Sequence, residues 1–64
     1  MFILKVIDRD NREHGIKIFE DNPELWCISK GTSIIKSEEI AYELYLELIK
    51  TNEFKKVKCV KYSS

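Results

Sequence analysis

Hydrophobic and polar positions along the chain repeat with two different periods. Between Ser37 and Asn52, apolar residues recur every three or four positions, a spacing that predicts the one long helix of the chain. The Ser37 side chain can accept a hydrogen bond from a free N–H of the first turn, and Asn52 can take the left-handed conformation that ends a helix. Because no Gly or Pro interrupts this run, we expect an unbroken helix.

Four shorter segments alternate in the manner of strands or are continuously apolar. They cover residues 2–7, 15–20, 25–30 and 54–62. The polar run 8–15 and the sequence DNPE at 21–24 are expected to turn the chain between the first three strands. Strand one is almost entirely apolar, which is typical of a central strand.

The order β-β-β-α-β predicts a single α+β domain over residues 1–64. We expect a three-stranded antiparallel meander with one helix packed across it. We expect the helix to return the chain so that strand four runs parallel to strands one and three. A right-handed crossover and a central strand one then favour the spatial order 3-2-1-4.

Alternation also predicts which side chains face the helix. From the strands we expect Phe2, Leu4, Val6, Ile16, Ile18, Trp26, Val57 and Cys59 to point inward. Trp26 is placed inward because it offers the largest apolar area of any side chain. From the helix, one stripe should lie on the sheet: Ile40, Ala41, Leu44 and Leu48.

The helix carries more apolar residues than one sheet can cover. A second apolar sector follows the first around the axis and consists of Tyr42, Tyr45, Leu46 and Ile49. We expect a partner surface to bury this sector. The alternative is that loops of the same chain, or a curled sheet, cover it.

Three glutamates, Glu39, Glu43 and Glu47, form a like-charged column at a spacing of four residues. One interpretation is a solvated acidic strip. The other is that the column meets lysines across an interface with a second copy or with another protein.

Composition limits the partners of the chain. It has 64 residues, with 11 basic and 11 acidic side chains, so no overall field attracts nucleic acid or an anionic membrane. So small a domain is marginally stable, and self-association is a common remedy. The abundance of Lys, Ile and Glu suits an AT-rich genome, such as that of a low-GC bacterium or its phages.

The N-terminal apolar run is interrupted by Lys5 and lacks a preceding basic region, so we expect a strand and not a signal peptide. No stretch approaches the roughly 20 apolar residues of a membrane span. Cys27 and Cys59 are isolated and fall on strands expected at opposite edges, which argues against a disulfide. These features favour the reducing cytoplasm.

No set of residues has the pattern of a catalytic site or of a cofactor or metal site. His14 is the only histidine, and the cysteines do not form a CxxC pair. The loop residues Asp8, Asp10, Glu13 and His14 lack the ligand spacing and turn glycine of a calcium loop. We therefore expect no enzyme activity, no cofactor and no metal, and interpret this loop as a solvated hairpin tip.

The expected function is that of a non-enzymatic protein-interaction module, forming a homodimer and binding a partner protein. The predicted interface consists of Tyr42, Tyr45, Leu46, Ile49, Glu39 and Glu43. A phage- or mobile-element-encoded inhibitor of a host protein would have such a sequence, and so would an orphan regulatory subunit.

The alternative is a surface for single-stranded nucleic acid on the face of the sheet away from the helix. Lysines and aromatic residues are expected to alternate there: Lys5, Lys17, Phe19, Lys56, Lys58 and Tyr62. Zero net charge and the lack of an RNA-recognition signature make this function less favoured than protein binding.

Overall fold

The computed structural model describes residues 1–61 and contains one helix and one four-stranded sheet. The elements are β1 (Phe2–Ile7), β2 (Glu13–Phe19), β3 (Asn22–Ser29), α1 (Glu38–Thr51) and β4 (Lys56–Lys61). The α+β class is confirmed. The expected extension of strand four to Tyr62 lies outside the described residues.

The sheet has the predicted order β3-β2-β1-β4, with β1 in the interior, but every neighbouring pair is antiparallel. The expected parallel arrangement of strand four with strand one is therefore wrong. The reason is the direction of α1. Residues 30–36, called the connector below, return the chain from the end of β3 to the start of β1 before the helix begins, as the bridge between Ile35 and Phe2 shows.

Because the connector has already made the return, α1 carries the chain toward the far end of β1. There the Lys55 N–H donates to the Ile7 carbonyl at 2.8 Å, and β4 starts beside Ile7. A chain arriving at this end can pair with β1 only by running back along it.

The connector crosses the outer face of the sheet, meaning the face away from α1. Gly15 pairs with Lys5, and both positions belong to this face. A Cβ atom on Gly15 would lie only 2.3 Å from the carbonyl oxygen of Gly31. The crossing is therefore possible because residue 15 has no side chain.

Beyond Gly31, the connector enters the plane of the sheet. Pairing between β1 and β2 is confined to Lys5–Ile7 and Glu13–Gly15, and a gap opens beyond it. The Ser33 N–H donates to the carbonyl of Ile16 at 3.0 Å, and Ile35 exchanges two 2.8 Å backbone hydrogen bonds with Phe2. Residues 33–35 thus fill the gap and satisfy backbone groups on both strands.

The hairpin between β2 and β3 turns earlier than expected. Phe19 pairs with Asn22, so Glu20 and Asp21 form the two-residue turn, with φ of 55° and 52°. The expected DNPE turn at 21–24 is wrong because Asn22 already belongs to β3. The register shifts after Ile18, so the chain accommodates Pro23, which cannot donate to the ladder, in an irregular stretch of this edge strand.

Both helix caps form as predicted. The Ser37 hydroxyl accepts a 3.3 Å hydrogen bond from the Ile40 N–H. Asn52 is left-handed, with φ of 55°, and its N–H donates to the carbonyl of Ile49.

The core lies between the sheet and α1. Its fully buried members are Leu4, Val6, Ile16, Ile35, Ala41, Leu44 and Leu48. Trp26 packs against this core and meets Phe54 edge to face, with ring centroids 5.9 Å apart. Val57 also packs against the core, whereas Cys59 is exposed, so the expectation of a core cysteine is wrong. Its position on an edge strand leaves one side of Cys59 open.

Candidate interaction surfaces

The outward side of α1 carries three exposed apolar side chains, which we call the crest: Tyr42, Leu46 and Ile49. They are 61%, 44% and 48% exposed. Their spacing of four and three residues places them along one line of the helix, opposite the buried Leu44 and Leu48. No loop among residues 1–61 buries them.

Tyr45, the fourth member of the predicted apolar sector, behaves differently. It is half-buried and packs against the core beside α1. Its ring therefore has an intramolecular role. It also lines a groove beside the crest, together with Tyr42.

A groove of about 540 Å3 separates the first half of α1 from β1 and β4. Its lining is mainly apolar and aromatic and comprises Phe2, Glu38, Glu39, Ala41, Tyr42, Tyr45 and Cys59. Partial burial in this groove raises the pKa of the Cys59 thiol. The thiol is therefore poorly suited to act as a nucleophile at neutral pH.

A second groove, of about 780 Å3, lies on the other flank of the helix. Its lining is more polar and comprises Asn22, Pro23, Glu24, Glu43, Leu46, Glu47, Ile49 and Lys50. Glu39 and Glu43 are exposed and form no ion pair with any of residues 1–61. The acidic column thus remains available to an external cation.

On the outer face of the sheet, Glu13 neutralises part of the lysine surface. Lys58 Nζ lies 3.2 Å from one Glu13 carboxylate oxygen, and Lys5 Nζ lies 3.6 Å from the other. The hydrogen bond from Lys58 and the charges of both lysines lower the pKa of Glu13. One carboxylate therefore offsets half of the positive charge of the pair.

The remaining residues of the nucleic-acid alternative are dispersed. The Lys17 side chain lies against Gly31, with its Cε 3.4 Å from where a Cβ on that glycine would stand. Phe19 is 58% exposed near the turn, Lys56 lies on the opposite edge strand, and Tyr62 is outside the described residues. The described lysines and Phe19 share a face without converging on one groove.

The role of Glu13 is not apparent from the sequence, because the polar run 8–15 predicts a loop at this position. A signal was available, since Glu13 lies two residues before Gly15 on the same strand face as Lys5. Extending strand two by two residues would have placed the carboxylate opposite the lysines.

The hairpin loop uses its acidic groups internally. Asp8 accepts hydrogen bonds from the N–H groups of Asp10 and Arg12 on one oxygen, while its other oxygen lies 2.7 Å from His14 Nε2. The hydrogen bond with His14, followed by that from Arg12, lowers the pKa of Asp8. Within residues 1–61, no three His, Cys, Asp or Glu side chains are arranged to hold a metal ion.

The described part of the chain also contains no helix with the length and apolar character needed to cross a membrane. Comparisons with protein-family models, with curated proteins and with solved structures give no match to this chain.

Proposed function

We propose that this chain is a small, non-enzymatic protein-interaction module of the cytoplasm that forms a homodimer through the crest. The supporting observation is that Tyr42, Leu46 and Ile49 stay exposed along one line of a rigid helix, whereas the opposite stripe is fully buried. Tyrosine and large aliphatic side chains on a rigid element provide much contact area at modest entropic cost.

A second copy is the occupant that fits the charges beside the crest. Glu39 and Lys50 are eleven residues apart, which places them about 20° from each other around the helix axis. When two helices pack antiparallel across a two-fold axis near Leu46, Glu39 of each copy comes within about one turn of Lys50 of the other. A parallel pair would instead leave Glu39 and Lys50 of the two copies about 16 Å apart along the helix axis.

The same antiparallel pairing brings Tyr42 of one copy beside Ile49 of the other. Leu46 then meets its own counterpart at the two-fold axis, as an isologous interface requires. One helix face is at the low end of the area that specific interfaces bury, so we expect a dimer that dissociates in the micromolar range. A surface of this strength also suits exchange with another partner protein, such as the target of a phage-encoded inhibitor.

The test is solution mass by light scattering from low micromolar to millimolar protein. We expect the mass to rise from monomer to dimer, and the variant Tyr42→Ala with Leu46→Ala to remain monomeric. The matched control is Phe19→Ala with Leu25→Ala, which removes two comparably exposed apolar side chains from the sheet. A wild-type monomer over the whole range, or a double crest variant that still dimerises, would contradict the proposal.

A further inference from the structure

We propose that the groove between α1 and the strands β1 and β4 binds a small quaternary ammonium ion. Three aromatic side chains line it, Phe2, Tyr42 and Tyr45, together with two carboxylates, Glu38 and Glu39. Aromatic faces attract cations through their quadrupole, and the attraction grows when the cation is desolvated. The groove thus combines apolar walls with negative charge at its rim.

The aromatic walls are held in place before any ligand arrives. Phe2 and Tyr45 are half-buried and pack against the core, so their rings lose little freedom on binding. Among residues 1–61, the close ring pair is Trp26 with Phe54, and neither of these residues lines the groove. Within residues 1–61, Phe2, Tyr42 and Tyr45 form no close ring pair with one another.

Charge selects the class of ligand. Glu38 and Glu39 are exposed at the rim, and no lysine or arginine lines the groove. The positive pole of the helix amounts to about half an elementary charge, which two carboxylates in the first turn exceed. These carboxylates repel an anion and attract a cation.

Size agrees with a small molecule. Ligand pockets in proteins typically have volumes of about 300–1,000 Å3, and this open groove has a volume of about 540 Å3. The larger groove on the other flank contains Lys50 and has a more polar lining, so it does not favour a cation in the same way.

The ammonium site does not depend on the proposed dimer, although Tyr42 and Glu39 belong to both surfaces. Leu46 and Ile49 contribute to the crest and do not line the groove. The variant Leu46→Ala with Ile49→Ala therefore separates the two proposals: it should lose dimerisation and retain the ligand.

The experiment is a titration of 15N-labelled full-length protein with choline, followed by amide chemical shifts. The matched probe is 3,3-dimethyl-1-butanol, which replaces the ammonium nitrogen of choline by carbon and is neutral. We expect saturable shifts around Ala41, Tyr45 and Cys59 with choline at about millimolar concentration, as suits so small a ligand. Equal responses to both compounds, or shifts with choline that never saturate, would overturn the proposal.

Variants then test the residues. Tyr42→Leu should weaken choline binding about fivefold, whereas Tyr42→Phe, which keeps the ring, should retain it. Tyr42 is 61% exposed, so neither change threatens the fold. Glu38→Gln with Glu39→Gln should also weaken binding. Unchanged affinity in Tyr42→Leu would show that the ring does not contact the cation and would overturn the site.

Discussion

The backbone of Gly31 passes so close to Gly15 that a Cβ atom on residue 15 would lie 2.3 Å from the Gly31 carbonyl oxygen. Gly15 has no positive φ, so the position needs glycine for space and not for backbone conformation. This contact marks the place where the connector crosses β2 on its way to β1.

Gly15→Ala should therefore destabilise the protein by about 3 kcal/mol, the upper end for overpacking, because the obstacle is backbone and cannot rotate away. Gly31→Ala is the matched control. Its Cβ would meet the Lys17 side chain at 3.4 Å, an ordinary contact with a flexible group. Urea denaturation measures the free energy of unfolding of both variants and of the wild type. Equal stabilities would mean that the connector can move away from β2 at little cost.

The same crossing explains why the direction of strand four could not be predicted. Helix limits and strand number follow from hydrophobic period and capping residues, which are local signals. The sheet order agrees with the central position expected of the apolar strand one, whereas the parallel crossover assumed with it is absent. The return of the chain through residues 33–35 depends on a gap between β1 and β2, which forms only in the assembled sheet. A segment of six or seven residues between a strand and a helix looks like an ordinary loop in the sequence.

The turn between β2 and β3 is built from residues that poorly suit its backbone. Glu20 and Asp21 both have positive φ, a conformation in which Asn and Gly are preferred for two-residue hairpins. Asp21→Gly should stabilise the protein by about 1 kcal/mol by relieving the left-handed strain. The control is Asp10→Gly in the other hairpin loop, where φ is not positive, and which we expect to be neutral or destabilising. Thermal unfolding gives the Tm of both variants and of the wild type. A lower Tm for Asp21→Gly than for the wild type would contradict this account of the turn.

Asp8 should make the stability of the protein depend on acid pH. Its pKa is lowered in the folded state, chiefly by the hydrogen bond with His14, so the ionised carboxylate favours folding. This contribution is complete above the unfolded pKa of about 3.9 and is lost as the pH falls through the lower folded pKa. Asp8→Asn keeps an oxygen for the Asp10 and Arg12 N–H groups and removes the charge.

The difference in urea midpoint between wild type and Asp8→Asn should be clear at pH 5 and should shrink when the pH is lowered below the folded pKa. Glu53→Gln removes a carboxylate that forms no hydrogen bond or ion pair with any of residues 1–61, and it is the matched control. A wild-type advantage that is constant across this range would show that the Asp8 charge is not coupled to folding.

The candidate surfaces were only partly predictable from sequence. Periodicity identified the apolar sector of α1, but whether each ring contacts the core depends on the angle between helix and sheet. Tyr45 and Tyr42 differ by one turn in sequence, yet the first packs on the core and the second is 61% exposed. The groove could not be predicted because Phe2 and Cys59 reach it from distant parts of the chain.

In the proposed antiparallel dimer, association should depend on the charges of Glu39 and Lys50, which a generic hydrophobic contact would not require. Glu39→Lys alone and Lys50→Glu alone should each weaken association, because each places like charges opposite one another. The double variant exchanges the two charges and should restore the wild-type dissociation constant. These effects should diminish at high salt, since the pairs lie at the solvent-exposed rim. Analytical ultracentrifugation at low and high salt measures the dissociation constant of the wild type, the two single variants and the double variant.

Glu38→Lys separates orientation from net charge. It changes the charge of the chain by the same amount as Glu39→Lys, but Glu38 lies about 100° from Glu39 around the helix axis, on the other flank of the crest, so Lys50 of the second copy is not beside it. If Glu38→Lys and Glu39→Lys behaved alike, and Lys50→Glu rescued both equally, the effect would come from overall charge. Rescue confined to the Glu39 variant would require Glu39 and Lys50 to meet across the interface, because only a local pair distinguishes two substitutions of identical charge.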